Sequence, residues 1–253
     1  MREGVGRRGG RASVQAPWSR PVVFDGRTSR GEDVAGRSTK QPIADRMYEV
    51  LLHQFMSGER AAGQSLNIGA LSRELDVSQT PLREALARLE HTGLVQREAL
   101  RGYQVAPVMT REEVEQLGEA RVLLEPRLAY EAALRTTPEF LEGLREAVED
   151  FRRSAEVADT ETEGFDLYWR SDARFHMMIA AQSGNAFLEL SYAALGGQIQ
   201  RFRLFSKFGR TGAVSAAPEH DAVYEAIKAG DADGAAEAMR HHIVGATERL
   251  LEG

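Results

Sequence analysis

The sequence predicts a mainly α protein: three helices closed by a short hairpin, followed by an all-α antiparallel helical bundle. Three observations lead there. Apolar residues recur at three- and four-residue spacing over most of the chain from Pro42 onward. Strand-like runs are confined to Leu94-Val95-Gln96 and Gly102-Tyr103-Gln104-Val105. Capping residues, glycines and prolines break the pattern at short intervals after residue 107.

Taken in order, residues 1–40 are rich in Gly, Arg and Ser without apolar periodicity, and read as a disordered basic arm. Such an arm is either a solvated tail, including the product of a start codon placed too early, or a contact to DNA phosphates. Ile43, Met47, Val50, Leu51 and Phe55 mark an amphipathic helix over 42–57. Ile68, Leu71 and Leu75 mark a short second helix, and Asp76-Val77 a tight connection. Ser78 caps a third helix with Pro81 in its first turn and Leu82, Leu86 and Leu89 on its buried stripe. Gly93 stops it, and the two strand-like runs form a hairpin joined through Arg97 to Arg101. Helix, helix, turn, helix, hairpin is the order of a winged helix-turn-helix, here residues 41–107.

Residues 108–253 read as six helices. Thr110 to Glu113 form a capping box that opens the first, which runs to about Arg135 with Pro126 inside it as a kink. Thr136-Thr-Pro-Glu139 opens a second, to about Ala158, and Thr160-Glu-Thr-Glu163 a third, to about Gln182. Ser183-Gly184-Asn185 breaks the chain before a fourth helix over about 186–205. Pro218 begins a fifth that Gly230 ends, and Asp231 caps a sixth to about Leu251. Short links make an antiparallel bundle the natural packing.

Composition narrows the function. The 253 residues allow two domains, and 42% hydrophobic content allows a sizeable core. No run approaches the roughly 18 apolar residues of a membrane span, so no membrane association is expected. With no cysteine, thiolate zinc fingers, disulfide scaffolds and cysteine nucleophiles are excluded, and a reducing, cytoplasmic setting fits. Net charge is +5 over residues 1–40, −1 over 41–107 and −10 over 108–253. Nucleic-acid contact must therefore come from the first 107 residues.

The last helix of a helix-turn-helix docks in the major groove by its N-terminal end. Here that end carries Ser78, Gln79 and Thr80, with Arg83 one turn on. Gln suits adenine, Arg suits guanine, and Ser or Thr suit phosphate or either base. Arg73 and Arg88 are further phosphate candidates, and the hairpin tip offers Arg101 and Gly102. Singly, Ser78 is only a cap and Arg83 only a solvated charge; the order of the whole segment gives them the DNA-reading role. The stretch Val77-Ser-Gln-Thr-Pro-Leu-Arg-Glu-Ala-Leu86, with Gly93-Leu94-Val95 and Arg101-Gly102 behind it, resembles the DNA-binding domain of GntR-family bacterial transcriptional regulators. That family usually has Arg between the Ser and the Thr. Gln79 stands there in this chain, so an Arg–guanine fork of about 1–3 kcal/mol is missing and the operator is expected to differ from the usual half-site.

Four of six histidines lie in the helical half: His176, His220, His241 and His242. Asp172 and His176, at i and i+4, share a helix face. With His220 and one of His241 or His242 they compose a candidate divalent-metal site built from three helices. Zinc, nickel, manganese and iron all suit such donors. Phe202, Phe205 and Phe208, with Met177, Met178 and Ile179, read as core packing.

Residues 108–250 resemble the FCD-type C-terminal domain of the FadR subfamily of the same family. The carrying segments are Arg121-Val-Leu-Leu-Glu125, Asp172-Ala-Arg-Phe-His176 with Gly184-Asn185, Glu219-His220 with Ala226-Ile227 and Gly230-Asp231, and Met239-Arg-His-His-Ile243. The resemblance implies metal ligation by Asp172, His176, His220 and His242, the His-Ile pair selecting His242. It implies a small organic acid or similar metabolite as effector near the metal, with Arg121 facing its carboxylate. Asn185 is a further pocket candidate. The expectation is a non-enzymatic, homodimeric regulator that binds double-stranded, pseudo-palindromic operator DNA. Two alternatives stand beside it: a metal-dependent hydrolase with a nucleic-acid-binding appendage, and a purely structural metal in a dimerising domain.

Overall fold

The computed structural model describes residues 42–98, 102–156, 162–205 and 209–252. The basic arm expected over residues 1–40 and the hairpin tip at Arg101 lie outside the described residues. The head comprises α1 (Ile43–Met56), β1 (Ser65–Leu66), α2 (Ile68–Glu74), α3 (Gln79–His91), β2 (Val95–Glu98) and β3 (Gly102–Val105). Met47, Leu51, Leu52 and Phe55 of α1 meet Leu71 of α2 and Leu82, Leu86 and Leu89 of α3 in one buried cluster. The turn from α2 to α3 uses Asp76 at φ 50°, a conformation that Asp tolerates better than branched residues. Ser72 locks that turn: its carbonyl accepts from Val77 N–H at 3.1 Å, and its hydroxyl donates to the Val77 carbonyl at 2.6 Å.

The wing is a three-stranded antiparallel sheet in the order β1-β3-β2, with Val95 opposite Val105 and Glu98 opposite Gly102. β1 adds Ser65 opposite Gln104. A two-residue strand carries no periodicity, so only the hairpin was expected.

The second domain comprises α4 (Arg111–Ala133), α5 (Pro138–Glu156), α6 (Thr162–Gln182), α7 (Ala186–Phe205), α8 (Gly209–Lys228) and α9 (Ala232–Glu252). The Thr110 capping box forms in full: Thr110 Oγ1 accepts from Glu113 N–H at 3.2 Å, and Thr110 N–H donates to Glu113 Oε2 at 2.8 Å. Neighbours in space run α4, α9, α8, α5, α6 and back to α4, with α7 against α4 and α6. Leu128, Leu144, Phe175, Ile179, Ile199, Val223, Met239 and Ile243 fill the middle.

Two expectations are corrected. α8 does not begin at Pro218; it starts at Gly209 and runs through the proline. Ala213 and Ala216 of that extra length are buried against Phe151. The carbonyl that Pro218 leaves unbonded belongs to Val214, an exposed residue where water can satisfy it. Met177, expected in the core, is exposed, whereas Ile179 and Phe202 are buried and Met178 packs against the core. The Phe205 and Phe208 side chains lie outside the described residues.

Head and bundle touch directly. Gly93, just past α3 at φ 73°, lies so close to Gly197 of α7 that a Cβ on Gly93 would stand 2.7 Å from the Gly197 backbone. Arg170 of α6 donates to Glu49 of α1 at 2.7 Å. Arg201 of α7 donates to the carbonyls of Pro107 at 2.7 Å and Val108 at 3.2 Å, and reaches Glu113 at 3.1 Å. That pins the link between the domains to α7.

Candidate functional site

Asp172 and His176 of α6, His220 of α8 and His242 of α9 converge inside the ring of helices. One ligand atom from each lies within 4.8 Å of the others, and all four residues are buried. His241 is exposed, so the choice between the adjacent histidines is made by the helix face.

Hydrogen bonds settle which nitrogen each ring offers. His220 Nδ1 is 2.9 Å from the Ala216 carbonyl, which can only accept, so Nδ1 carries the proton. His242 Nδ1 is 2.8 Å from Glu219 Oε2, and His176 Nδ1 is 2.5 Å from Glu125 Oε2. Both carboxylates again call for an N–H. In the neutral rings every Nε2 is then a lone pair, and every Nε2 points inward. His220 Nε2 lies 3.1 Å from Asp172 Oδ1, and His242 Nε2 lies 3.3 Å from His176 Nε2. In that neutral state three imidazole lone pairs and a carboxylate oxygen face one another, a donor set open to a cation or, at His176, to a proton. Carbonyl or carboxylate partners behind each imidazole are what a metal centre requires.

The surroundings keep this set dry and oriented. Phe151 stacks on His220 with centroids 4.1 Å apart, and Phe175 meets the same ring edge-on at 4.5 Å. Burial, then the neighbouring His220, push His242 down to about 3, so its ring is neutral. Burial alone would lower His176, but the Glu125 and Asp172 charges outweigh it and hold it above the ordinary imidazole range. Burial would raise Glu219; hydrogen bonds from His242 and Arg249 bring it down to about 2. Burial would likewise raise Glu125, yet Arg121 and His176 hold it well below the carboxylate range.

Glu125 and Glu219 stand behind two of the imidazoles, a placement that the sequence reading did not assign to them. Glu125 had a usable signal, since it stands four residues after Arg121 on one helix face. Glu219 had none: its imidazole partner is 23 residues away. Arg121 is 3% exposed; its Nε donates to Glu125 Oε1 at 2.5 Å, and its guanidinium lies 5.7 Å from the Phe202 ring centre. Asn185 stands elsewhere in role. It is exposed at the start of α7, and its Oδ1 accepts from Phe187 N–H at 3.1 Å and Leu188 N–H at 3.2 Å, a helix cap.

In the head, Ser78, Gln79, Thr80 and Arg83 are all exposed along the first turns of α3. Arg83 Nη2 donates to Gln79 Oε1 at 3.3 Å, a weak bond open to exchange for a base edge. Ser78 makes no side-chain cap bond, which leaves its hydroxyl available. Arg88 is tied to Asp45 and lies 4.6 Å over the Tyr48 ring, whereas Arg73 is exposed. Gly102 opens β3 at φ 98°.

The model of the gntR family of bacterial regulatory proteins matches residues 43–105, and the FCD domain model matches residues 116–245, just over half the chain. The chain belongs to the GntR family. It is a transcriptional regulator of the GntR type with an FCD domain. The HTH-type transcriptional regulator LutR of Bacillus subtilis (strain 168) is 29% identical over 219 residues, covering 78% of this chain and 95% of LutR. The HTH-type regulator YcbG of the same organism is 25% identical over 243 residues, covering 91% and 98%. Among solved structures, E. coli McbR/YncC superposes with a TM-score of 0.60 at 21% identity, covering 84% of this chain and 98% of that one. Lar, which controls the Listeria monocytogenes agr system, superposes at 0.55 and 19% identity, covering 84% and 98%. These likenesses give a GntR regulator's fold to the whole described chain, and the hydrolase alternative finds no support in them. Among the described residues, no helix is long and apolar enough to cross a membrane.

Proposed function

We propose that this GntR regulator holds a divalent metal ion at Asp172, His176, His220 and His242 and binds a small anionic metabolite beside it. The observation that carries the reading is the inward turn of all three Nε2 atoms onto Asp172 Oδ1. When bound, the ion would supply a Lewis-acid anchor for a carboxylate. Charge favours an anionic effector. Among the four candidate ligands Asp172 is the single carboxylate, and Glu125 and Glu219 behind the imidazoles are paired with Arg121 and Arg249. A divalent cation outweighs one ligand carboxylate, and an anion beside it offsets the difference. Arg121 is the residue to orient that anion, because beyond Glu125 its guanidinium makes no further hydrogen bond among the described residues. A planar fork suits a carboxylate.

In this reading two copies place α3 in successive major grooves of a pseudo-palindrome, and effector binding shifts how the two heads are held. DNA location puts that work in the cytoplasm. Donor chemistry admits zinc, nickel, manganese or iron. The test is elemental analysis of wild type and His176→Ala after purification without chelator. Near-stoichiometric metal in wild type and its loss in the variant are expected; equal metal in both would refute the ligand set.

A further inference from the structure

Trp169 lies outside the cluster and outside the DNA-reading face, yet it joins them. It belongs to α6 of the bundle, but its side chain is 1% exposed within the buried cluster of the head, among residues of α1, α2 and α3. On α6 it precedes Asp172 by three residues and His176 by seven, so all three share one stripe of the helix. Asp172 is about 4.5 Å along the axis from it. A second path runs beside the first. Phe151 stacks on His220 at 4.1 Å and meets Tyr168 at 5.3 Å, and Tyr168 packs against the head cluster as well. Arg170, next in sequence, bonds Glu49 of α1 at 2.7 Å.

From this juxtaposition we infer that the Tyr168–Trp169 pair is the transmission element through which the state of the metal centre reaches the DNA-reading head. The inference rests on the metal reading above and adds a route to it. Two of the four ligands are rigidly continuous with Trp169 through one helix, and a third touches Tyr168 through one ring. Because Asp172 and His176 both stand on α6, their engagement with a cation would displace that helix directly. Trp169 would carry the displacement into a close-packed core, which responds by moving as a unit rather than by deforming. Trp169 is thus a positioning residue for DNA recognition. Spatial intermediacy alone does not establish coupling, so the test must measure coupling itself.

The protein contains two tryptophans, Trp18 and Trp169. In full-length Trp18→Phe protein, Trp169 is the sole indole reporter. Zinc titrated into chelator-treated protein should change its emission in step with metal content. In Trp169→Leu, metal content should equal that of wild type. The ratio of operator affinities with and without metal should fall from about 5- to 150-fold toward unity, against a duplex selected from a random pool. Tyr168→Leu should lower the same ratio in part. Full metal content with unchanged Trp169 emission, or an undiminished affinity ratio in Trp169→Leu, would overturn the route while leaving the metal centre intact. No zinc uptake by wild type would instead overturn the metal reading and the route with it. Should Trp169→Leu fail to fold, the affinity ratios of Trp169→Phe and Tyr168→Leu decide in its place.

Discussion

Substituting Gly93 by Ala tests how tightly the head is seated on the bundle. Two effects add there. The residue sits at φ 73°, and the left-handed region costs an L residue roughly 1–2 kcal/mol. The new Cβ would also stand 2.7 Å from the Gly197 backbone, and backbone cannot swing aside as a side chain does. Overpacking of that kind adds about 1–3 kcal/mol, for about 2–5 kcal/mol in all. Gly58 supplies the control: its φ is 75°, and a Cβ there meets nothing within 4 Å. Gly58→Ala carries the strain without the clash, and the effect of Ala on the unfolded chain is common to both. Urea unfolding of the two variants, compared through midpoint and slope, isolates the clash. Gly93→Ala should be less stable than Gly58→Ala by about 1–3 kcal/mol. Equal midpoints would refute the close seating of α3's end on α7. Gly197→Ala, whose Cβ would approach Gly93 N at 3.1 Å, should show a milder loss.

Other outcomes follow from the same geometry. Arg83→Ala should weaken operator binding and, where Arg83 reads a base, relax preference at one base pair by about 1–3 kcal/mol; a uniformly shallower salt dependence would make Arg83 a phosphate contact. Glu219→Gln removes the charged partner of His242 Nδ1 at 2.8 Å and should lower metal affinity about 10–100-fold by chelator competition; unchanged affinity would deny Glu219 an orienting role. Metal affinity should fall as pH falls. The metal-free centre holds the His176 pKa above its ordinary value, so a proton competes with the metal at neutral pH and wins increasingly below it. Titration calorimetry at several pH values across the imidazole range checks the sign, and a flat profile would contradict it. Arg121→Lys keeps a charge beside Glu125 but loses the planar fork, so it should weaken the effector's influence on DNA binding while metal content stays near the wild-type level; an undiminished effector response would deny Arg121 that role.

What the sequence displays about this molecule depends on whether the physics is local. Helix starts are local: Thr110 announces its capping box within four residues, and Asp231 caps α9 with its side chain accepting from Gly234 N–H. The candidate DNA-reading end of α3 is legible for the same reason, since Ser78, Gln79, Thr80 and Arg83 stand within six residues and all are exposed. Asp172 and His176 share a helix and are legible as a pair, but their meeting with His220 and His242 is a tertiary fact that only resemblance supplies. The proton partners Glu125 and Glu219 escape because each acts across helices on an imidazole remote in sequence. The early start of α8 escapes because Pro218 is the strongest local signal, while burial of Ala213 and Ala216 against another helix overrides it. Trp169 escapes altogether: nothing local in α6 marks it, and only the packing shows its ring buried with the head's core residues.

The most direct test of a metal-centred sensor acting on a DNA-reading head is the operator affinity of one protein in two states. Full-length regulator would be stripped with chelator, half of it reloaded with zinc, and both halves titrated against the selected duplex at fixed ionic strength, with metal content measured in each. Affinities that differ by about 5- to 150-fold are expected. Identical affinities in verified empty and loaded protein would leave the four buried residues a structural clasp with no bearing on DNA.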